Sequence, residues 1–167
     1  MSRTPYTTIV VSGGFDPIHV GHVRMIKAAA ELGNVIVVAN SDKWLMRKKG
    51  YIFMPWDERS EIIRSIVGVE DVVEVDDSDG TVCEALRNLK PDMFVNGGDR
   101  TNKNTPEKKL CEELGIEMVW GLGGTKIQSS SDLVKDAGFT PRITAGQQDP
   151  LLQPEKSIVL RSPNCES

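Results

Sequence analysis

A β-branched run at residues 9–11, followed by the glycine pair Gly13-Gly14 and by a helical pattern from Gly21, constrains the fold more than any other stretch. Short β-branched runs form buried strands. Glycines allow the chain to turn sharply and to approach a ligand closely. Backbone N–H groups and the positive end of the helix dipole meet at a helix N-terminus and bind anions there. The stretch therefore predicts a strand, a turn and a helix that together form a phosphate site.

The rest of the chain repeats this alternation of strand and helix. Further strands are predicted at residues 35–38, 71–75, 92–95 and 116–120, and helices at residues 21–32, 56–67, 80–90 and 106–114 and from residue 129 onward. Residues 44–55 are predicted to be irregular. Because crossovers between parallel strands are right-handed, the pattern predicts an α/β fold with a Rossmann-like, doubly wound parallel sheet of five strands in the order 3-2-1-4-5. Glycine pairs follow strands 1, 4 and 5, which predicts a ligand cleft at that edge.

The chain has two histidines, His19 and His22, which lie three residues apart at the start of the first predicted helix. That spacing places both imidazoles on one side of the first turn. Nucleotidyl transfer depends on charge stabilisation and on the alignment of the attacking and leaving oxygens, so two fixed N–H donors beside a phosphate site suit it. The alternative is a pair of incidental surface histidines at a helix start.

Residue spacing disfavours two other kinds of site. Zinc pairs on a helix usually stand four residues apart and need a third ligand, whereas Cys83, Cys111 and Cys165 are scattered without paired spacing. A dinucleotide-binding turn needs the spacing G-x-G-x-x-G, which the glycines here do not give. Neither site is therefore expected.

The residues from Gly13 to His22, Gly-Gly-Phe-Asp-Pro-Ile-His-Val-Gly-His, resemble the signature of the HxGH nucleotidylyltransferases. This superfamily includes cytidylyltransferases for glycerol-3-phosphate and ethanolamine phosphate, and adenylyltransferases for heptose phosphate and pantetheine phosphate. The resemblance extends over about residues 7–138. It implies a fold in which a phosphorylated substrate attacks the α-phosphate of a nucleoside triphosphate (NTP), with Mg²⁺, and releases pyrophosphate. His19 and His22 would stabilise the α-phosphate, and Phe15 and Asp16 would shape the first turn.

The resemblance also implies contacts from later residues. Relatives carry lysines in a mobile loop after the second strand, which makes Lys48 and Lys49 candidates for phosphate binding; the alternative is a solvated charged face. Arg59 matches an arginine that faces the site in relatives, and the alternative is an exposed arginine at a helix start. Gly97 and Asp99 follow the fourth strand and are expected to lie across the cleft from the first glycine pair.

The stretch before the last predicted helix resembles the second signature of the family, which binds the triphosphate. Lys126, Ser129 and Ser130 are its candidate ligands. The match departs at Gln128, and Lys126 stands near a place where some cytidylyltransferases have an arginine, so the contacts carry over only approximately. The alternative role for Ser129 is to cap the helix, since Asp132 has the capping-box spacing.

Composition is typical of a single cytoplasmic domain. A chain of 167 residues, of which 39% are hydrophobic and 26% charged, can bury one core. The net charge of −4 gives no reason to expect nucleic-acid binding, and no apolar run has the length of a membrane span or the position of a signal peptide. We assign residues 1–138 to a nucleotidylyltransferase domain and residues 139–167, which lack periodicity, to an extended or partly disordered tail.

Together these features predict a nucleotidylyltransferase that moves CMP or AMP from an NTP to a small phosphorylated polyol, sugar or amino alcohol, with CTP placed slightly ahead of ATP. A heptose-phosphate-type adenylyltransferase is the alternative within the family. The alternative of another class is a non-catalytic, nucleotide-binding regulatory module, which would be favoured by a missing histidine or basic loop. The relatives also lead us to expect a homodimer or larger homo-oligomer. From the charge and the apolar runs we expect neither nucleic acid nor membrane as a partner.

Overall fold

The computed structural model describes residues 7–97, 105–124 and 128–138. The strands are β1 (Thr8–Gly13), β2 (Asn34–Ala39), β3 (Val69–Glu74), β4 (Met93–Gly97) and β5 (Glu117–Leu122). The helices are α1 (Val20–Ala30), α2 (Asp42–Lys49), α3 (Trp56–Arg64), α4 (Cys83–Leu89), α5 (Pro106–Leu114) and α6 (Ser130–Asp136). None of these helices is long and apolar enough to cross a membrane, within the ranges described. The predicted tail, residues 139–167, lies outside the described residues.

All five strands are parallel and form one sheet in the order β3-β2-β1-β4-β5, which confirms the predicted fold and strand order. β1 is central and pairs with β2 from Thr8 opposite Asn34 to Gly13 opposite Ala39. Its other neighbour is β4. The direction of winding therefore reverses between β1 and β4, and the carboxyl end of β1 lies at that switch point, where open sheets of this kind bind ligands.

The β-branched run of β1 is buried because helices cover both faces of the sheet. Successive side chains of a strand point to opposite faces. Ile9 and Val11 belong to a cluster that includes Ile26 of α1, whereas Val10 belongs to a second cluster that includes Leu86 of α4. These two cores fix β1, and with it the loop that leads to α1.

Helix α2 occupies residues that were predicted to be irregular. The Ser41 hydroxyl caps it by accepting a hydrogen bond from the Trp44 amide at 3.0 Å, and Gly50 ends it with φ +82°. Its buried residues are Leu45 and Met46, and three basic residues fill its last turn. With so narrow an apolar stripe, the helix has little hydrophobic periodicity for a sequence analysis to detect.

Helix α5 has its predicted bounds, whereas α3 and α4 are shorter than predicted. Thr105 and Gly115 cap the two ends of α5, and Ser129 caps α6, which is the alternative role given to it above. Helix α3 ends at Arg64 rather than at Val67: the Ser65 amide caps it by donating to the carbonyl oxygens of Ile62 and Ile63, and Gly68, with φ +99°, turns the chain into β3. Helix α4 begins at residue 83 rather than at residue 80.

Candidate active site

The loop from β1 to α1 lies at the carboxyl edge of the sheet and contains the predicted phosphate site. Phe15 turns the chain with φ +52°, and its side chain is buried. A side chain on Gly13 would lie 3.3 Å from the Phe15 ring, and one on Gly14 would lie 3.1 Å from Leu45 of α2. The glycine pair therefore allows this loop to pack closely against its own phenylalanine and against α2.

The two histidines cap the first turn of α1 reciprocally. His19 Nδ1 accepts a hydrogen bond from the Gly21 amide at 3.1 Å, and His22 Nδ1 accepts one from the His19 amide at 3.2 Å. The two rings are stacked, with their centroids 3.8 Å apart and their planes 24° apart. Because Nδ1 is the acceptor in each neutral ring, the proton lies on Nε2, and Nε2 is the atom that can donate to a ligand.

Gly21 leaves space for the His19 ring because it has no side chain. A side chain at this position would put its Cβ 2.9 Å from His19 Cε1 and 3.1 Å from Nδ1. Carbon atoms that are not bonded to each other do not approach so closely, so any larger residue would displace the imidazole. The glycine between the histidines is therefore a steric requirement of the capping arrangement.

His22 is neutral at physiological pH. Burial, and then repulsion by the positive charges that His19 and Lys49 carry when protonated, lower the pKa of the His22 imidazole from 6.5 to about 3. The edge of the ring also packs against Phe15, with the centroids 4.9 Å apart. The side chain is thus held as an uncharged Nε2–H donor in one orientation.

The structure separates the two candidate lysines. Lys49, at the end of α2, is partly buried, and its Nζ donates a hydrogen bond to the Asp16 carbonyl oxygen at 3.1 Å. Burial lowers the pKa of this ammonium group, although the Asp16 carboxylate opposes that shift. Lys48 is exposed. Of the two lysines, the fold therefore brings Lys49 to the β1–α1 loop.

Asp16 binds backbone amides of the segment between α2 and α3. Its carboxylate oxygens accept hydrogen bonds from the Phe53 amide at 2.7 Å and from the Met54 amide at 2.6 Å. Burial raises the pKa of this carboxyl group, and the two amides oppose that shift. Asp16 thus lies in the predicted first turn, where it ties that turn to a second segment.

Arg59 is fully buried near the start of α3. Its guanidinium donates to the carbonyl oxygens of Met54 (2.9 Å), Gly14 (2.7 Å) and Asn40 (2.9 Å), and to the Asp42 carboxylate (2.8 Å). Four of its five N–H groups are therefore used within the protein. Arg59 joins the β1–α1 loop to the end of β2, and a nucleotide contact from it stays a prediction.

The second predicted signature reaches the same loop through α6. The Ser130 hydroxyl donates to the Pro17 carbonyl oxygen at 2.7 Å. Gly123, with φ +92°, packs onto the backbone of α1, since its Cβ would lie 2.8 Å from the Met25 amide nitrogen. Ser129 caps α6 by accepting from the Asp132 amide at 3.4 Å, which is the alternative role considered for it. Contacts of either serine with a triphosphate stay predictions.

Three other predicted residues are only partly placed. Gly97 ends β4, next to β1 in the sheet. Asp99 and Lys126 lie outside the described residues.

Sequence analysis missed a cavity that is lined by residues following β2 and β3. The cavity has a volume of about 660 Å³ and lies at the carboxyl ends of β2 and β3. Its walls include Trp56 and the buried Asp77, whose carboxylate accepts hydrogen bonds from the Asn40 side chain (3.0 Å) and the Ser41 hydroxyl (2.6 Å). The run of aspartates after the third strand was the available signal. Among the described residues, no group of three or more histidine, cysteine or acidic side chains is arranged to hold a metal ion.

Known proteins resemble this chain in sequence and in fold. Residues 10–143 match the cytidylyltransferase-like family. The bifunctional protein HldE of Streptomyces coelicolor is 39% identical over 121 residues, which cover 70% of this chain and 26% of that protein. The FAD synthase of Pyrococcus abyssi is 33% identical over 112 residues, which cover 66% of this chain and 75% of that protein. A solved lipopolysaccharide core biosynthesis protein from Thermoplasma volcanium has the same fold, with a TM-score of 0.56 at 21% identity over 68% of this chain and 94% of that one.

The match therefore includes about a quarter of the HldE proteins and three quarters of the FAD synthase. The family match covers most of the described residues and includes the reciprocally capped histidines, the glycine loop and all five strands except the start of β1. The chain belongs to the cytidylyltransferase-like family of nucleotidyltransferases.

Proposed function

We propose that the protein transfers CMP or AMP from an NTP to a small phosphorylated polyol, sugar or amino alcohol and releases pyrophosphate. The observation that carries this proposal is the reciprocal capping of His19 and His22, which presents two Nε2–H groups at the N-terminus of α1. Membership of the cytidylyltransferase-like family supports the same reaction class.

The chemistry requires stabilisation of charge rather than covalent help from the protein. An oxygen of the acceptor phosphate forms a bond to the α-phosphorus of the NTP. The bond from that phosphorus to the oxygen bridging to the β-phosphate breaks, and its electron pair leaves with pyrophosphate. Negative charge concentrates on the α-phosphate oxygens in the transition state, where fixed N–H donors are most effective.

A neutral histidine suits this task. Because the pKa of His22 is lowered to about 3, the ring keeps its Nε2 proton and its orientation throughout the working pH range. It donates a hydrogen bond without giving up a proton, and the reaction needs no proton transfer at that oxygen. Lys49 supplies the nearby positive charge for the phosphates in this proposal, and Lys48 does not.

Mg²⁺ is proposed as part of the substrate, bound to the triphosphate. Magnesium in such sites is commonly held by phosphate oxygens and water with one or two carboxylates. Asp16 lies in the loop before the histidines, and its two carboxylate oxygens already accept backbone amides. We therefore assign no protein ligand to the ion. A homodimer or larger homo-oligomer also stays a proposal.

One experiment can identify both the base of the donor nucleotide and the acceptor substrate. We would measure pyrophosphate release from MgCTP and from MgATP, each with glycerol-3-phosphate, heptose-1-phosphate, phosphoethanolamine or flavin mononucleotide. The last acceptor is included because one relative is an FAD synthase, and FAD contains an AMP group joined to that mononucleotide. We expect release that depends on one NTP and one acceptor together.

The role of His22 is tested in the same assay. Replacing His22 with alanine should lower kcat by about 10²- to 10³-fold, the effect of removing one preorganised donor. A folded His22→Ala protein with nearly full turnover would contradict the proposed role. A different outcome is that the wild-type protein binds an NTP and releases no pyrophosphate with any acceptor. If His22→Ala then binds the NTP equally well, the results would favour a non-catalytic binding module.

A further inference from the structure

The segment that joins α2 to α3, residues 50–55, is here called the strap. Ile52 of the strap packs with Leu45 and Met46 of α2 in a cluster of their own, separate from the two cores of the sheet. The strap and α2 therefore form a small apolar unit. Its position relative to the histidines depends on the contacts that join it to the β1–α1 loop.

Two buried polar side chains make those contacts, and we call the pair the clamp. Asp16 holds the Phe53 and Met54 amides at 2.7 and 2.6 Å. Arg59 holds the Met54 carbonyl oxygen at 2.9 Å and, through the same guanidinium, the Gly14 carbonyl oxygen at 2.7 Å. The clamp thus binds the strap through three backbone polar groups of Phe53 and Met54 and joins it to the turn beside the histidines.

The environment of the clamp makes its geometry rigid. Asp16 and Arg59 are both 0% exposed. A buried charge is tolerated only where hydrogen bonds and an opposite charge compensate it, so either group would lose that compensation if the strap moved away. The Arg59 guanidinium is also fixed at its other side by the Asp42 carboxylate at 2.8 Å.

Lys49 immediately precedes the strap, and its ammonium group lies against the clamp. Its Nζ donates to the carbonyl oxygen of Asp16 itself at 3.1 Å. The carboxylate of Asp16 fixes the strap, and the backbone of Asp16 receives the lysine. The position of the Lys49 ammonium group therefore depends on both the carboxylate and the backbone carbonyl of Asp16.

We propose that Asp16 and Arg59 are positioning residues, which hold the strap so that the Lys49 ammonium is set beside the His19–His22 pair to bind NTP phosphates. The proposal rests on the proposed function for the identity of the ligand. It differs from a direct nucleotide contact by Asp16 or Arg59, because here both act through Lys49. Loss of the clamp should therefore have no effect on nucleotide binding once Lys49 has been removed.

A double-mutant cycle tests this dependence. We would measure the Kd of MgCTP and of MgATP by titration calorimetry for the wild-type protein, Asp16→Asn, Lys49→Ala and the double variant. Lys49→Ala should weaken binding about 10- to 100-fold, the range for a charge-assisted hydrogen bond. Asp16→Asn should weaken it comparably, and the double variant should bind no worse than Lys49→Ala alone. Asp92→Asn is the matched control, since the Asp92 carboxylate accepts the Thr8 amide at 2.8 Å at the opposite edge of the sheet and should leave Kd unchanged.

Hydrogen exchange of the nucleotide-free protein tests the clamp itself. Strap amides should exchange faster in Asp16→Asn and in Arg59→Met, while the amides of β1 keep their protection. Arg64→Met is the control on the same helix, since Arg64 is half exposed and donates to the Val72 carbonyl oxygen of β3 rather than to the strap backbone. If Arg59→Met does not fold, Arg59→Lys replaces it, because lysine keeps the charge but cannot make the same set of bonds.

Two results would overturn the proposal. One is a loss of affinity in the double variant equal to the product of the two single losses, which would mean that Asp16 acts independently of Lys49. The other is wild-type exchange of the strap amides in the variants of both clamp residues. Neither readout uses turnover, so a protein that binds NTP without releasing pyrophosphate would refute the proposed function alone. A wild-type protein that binds neither nucleotide would refute both.

Discussion

Replacing Gly21 with alanine should lower activity strongly while changing stability little. The new Cβ would lie 2.9 Å from His19 Cε1, so the ring has to move by several tenths of an ångström or more. That movement breaks the bond from the Gly21 amide to His19 Nδ1 and disturbs the stacking on His22. Misplacement of about 1 Å in a catalytic constellation costs about 10²-fold in rate, so we expect kcat to fall about 10²-fold.

The stability terms nearly cancel in this variant. Loss of a side-chain cap costs about 1 kcal/mol, and exchange of glycine for alanine within a helix returns up to about 1 kcal/mol. The assay pairs initial rates of pyrophosphate release at saturating substrate with thermal unfolding. Val20→Ala is the control in the same helical turn, since Val20 is 47% exposed and outside the histidine contacts. Turnover by Gly21→Ala within about threefold of the wild type, at unchanged Tm, would refute the claim that the glycine positions the imidazole.

Two further predictions concern titration and charge. The pKa of His22 is about 3 in the folded protein and about 6.5 in the unfolded protein, so between these pH values the unfolded state binds one more proton. The free energy of unfolding is therefore highest above pH 6.5 and falls as the pH drops towards 3. At pH 5 the loss of stability should reach about 2 kcal/mol. His22→Gln keeps a capping acceptor but cannot titrate, so this loss should be absent when its urea unfolding is compared at pH 7.5 and pH 5. An equal pH dependence in both proteins would contradict the assignment. Lys49→Ala should raise the KM for the NTP about tenfold or more, because it removes a charge beside the histidines. Lys48 is exposed, so Lys48→Ala should change that KM less than twofold. Initial-rate kinetics in which Lys48→Ala has the larger effect would contradict these roles.

The sheet could be predicted from the sequence because its signals are local. Short apolar runs indicated the strands, and Thr105 and Gly115, which flank α5, are residue types that begin and end helices. Helix α2 escaped because only Leu45 and Met46 anchor it, and two buried residues give no clear period. Once α2 is known, the positions of Lys48 and Lys49 around its axis distinguish the two lysines. Lys49 stands four residues after Leu45 and three after Met46, on the side of the helix that both residues occupy.

The sequence indicated candidate residues for the site but not the hydrogen bonds that they make. Spacing placed His19 and His22 on one side of a helical turn, whereas their roles as acceptors for backbone amides depend on the ring orientations. For Arg59, the sequence indicated only a helix start. Its burial depends on the distant carbonyl groups of Gly14 and Asn40 converging on one point, which is a property of the packed fold. Long-range convergence of this kind leaves no periodic trace in a sequence.

The hydrogen bond from Ser130 to Pro17 has a consequence for the order in which the protein is made and folded. It joins residues that are 113 positions apart along the chain. Closing a flexible loop of that length costs about 4 kcal/mol of chain entropy, far more than one hydrogen bond returns. The contact therefore becomes favourable only after the intervening strands have paired, and a chain still emerging from the ribosome has its histidine loop before the serines reach it. We expect α6 to gain protection later than β1 in pulsed hydrogen exchange, so that the protein completes its site as one of the last events of folding.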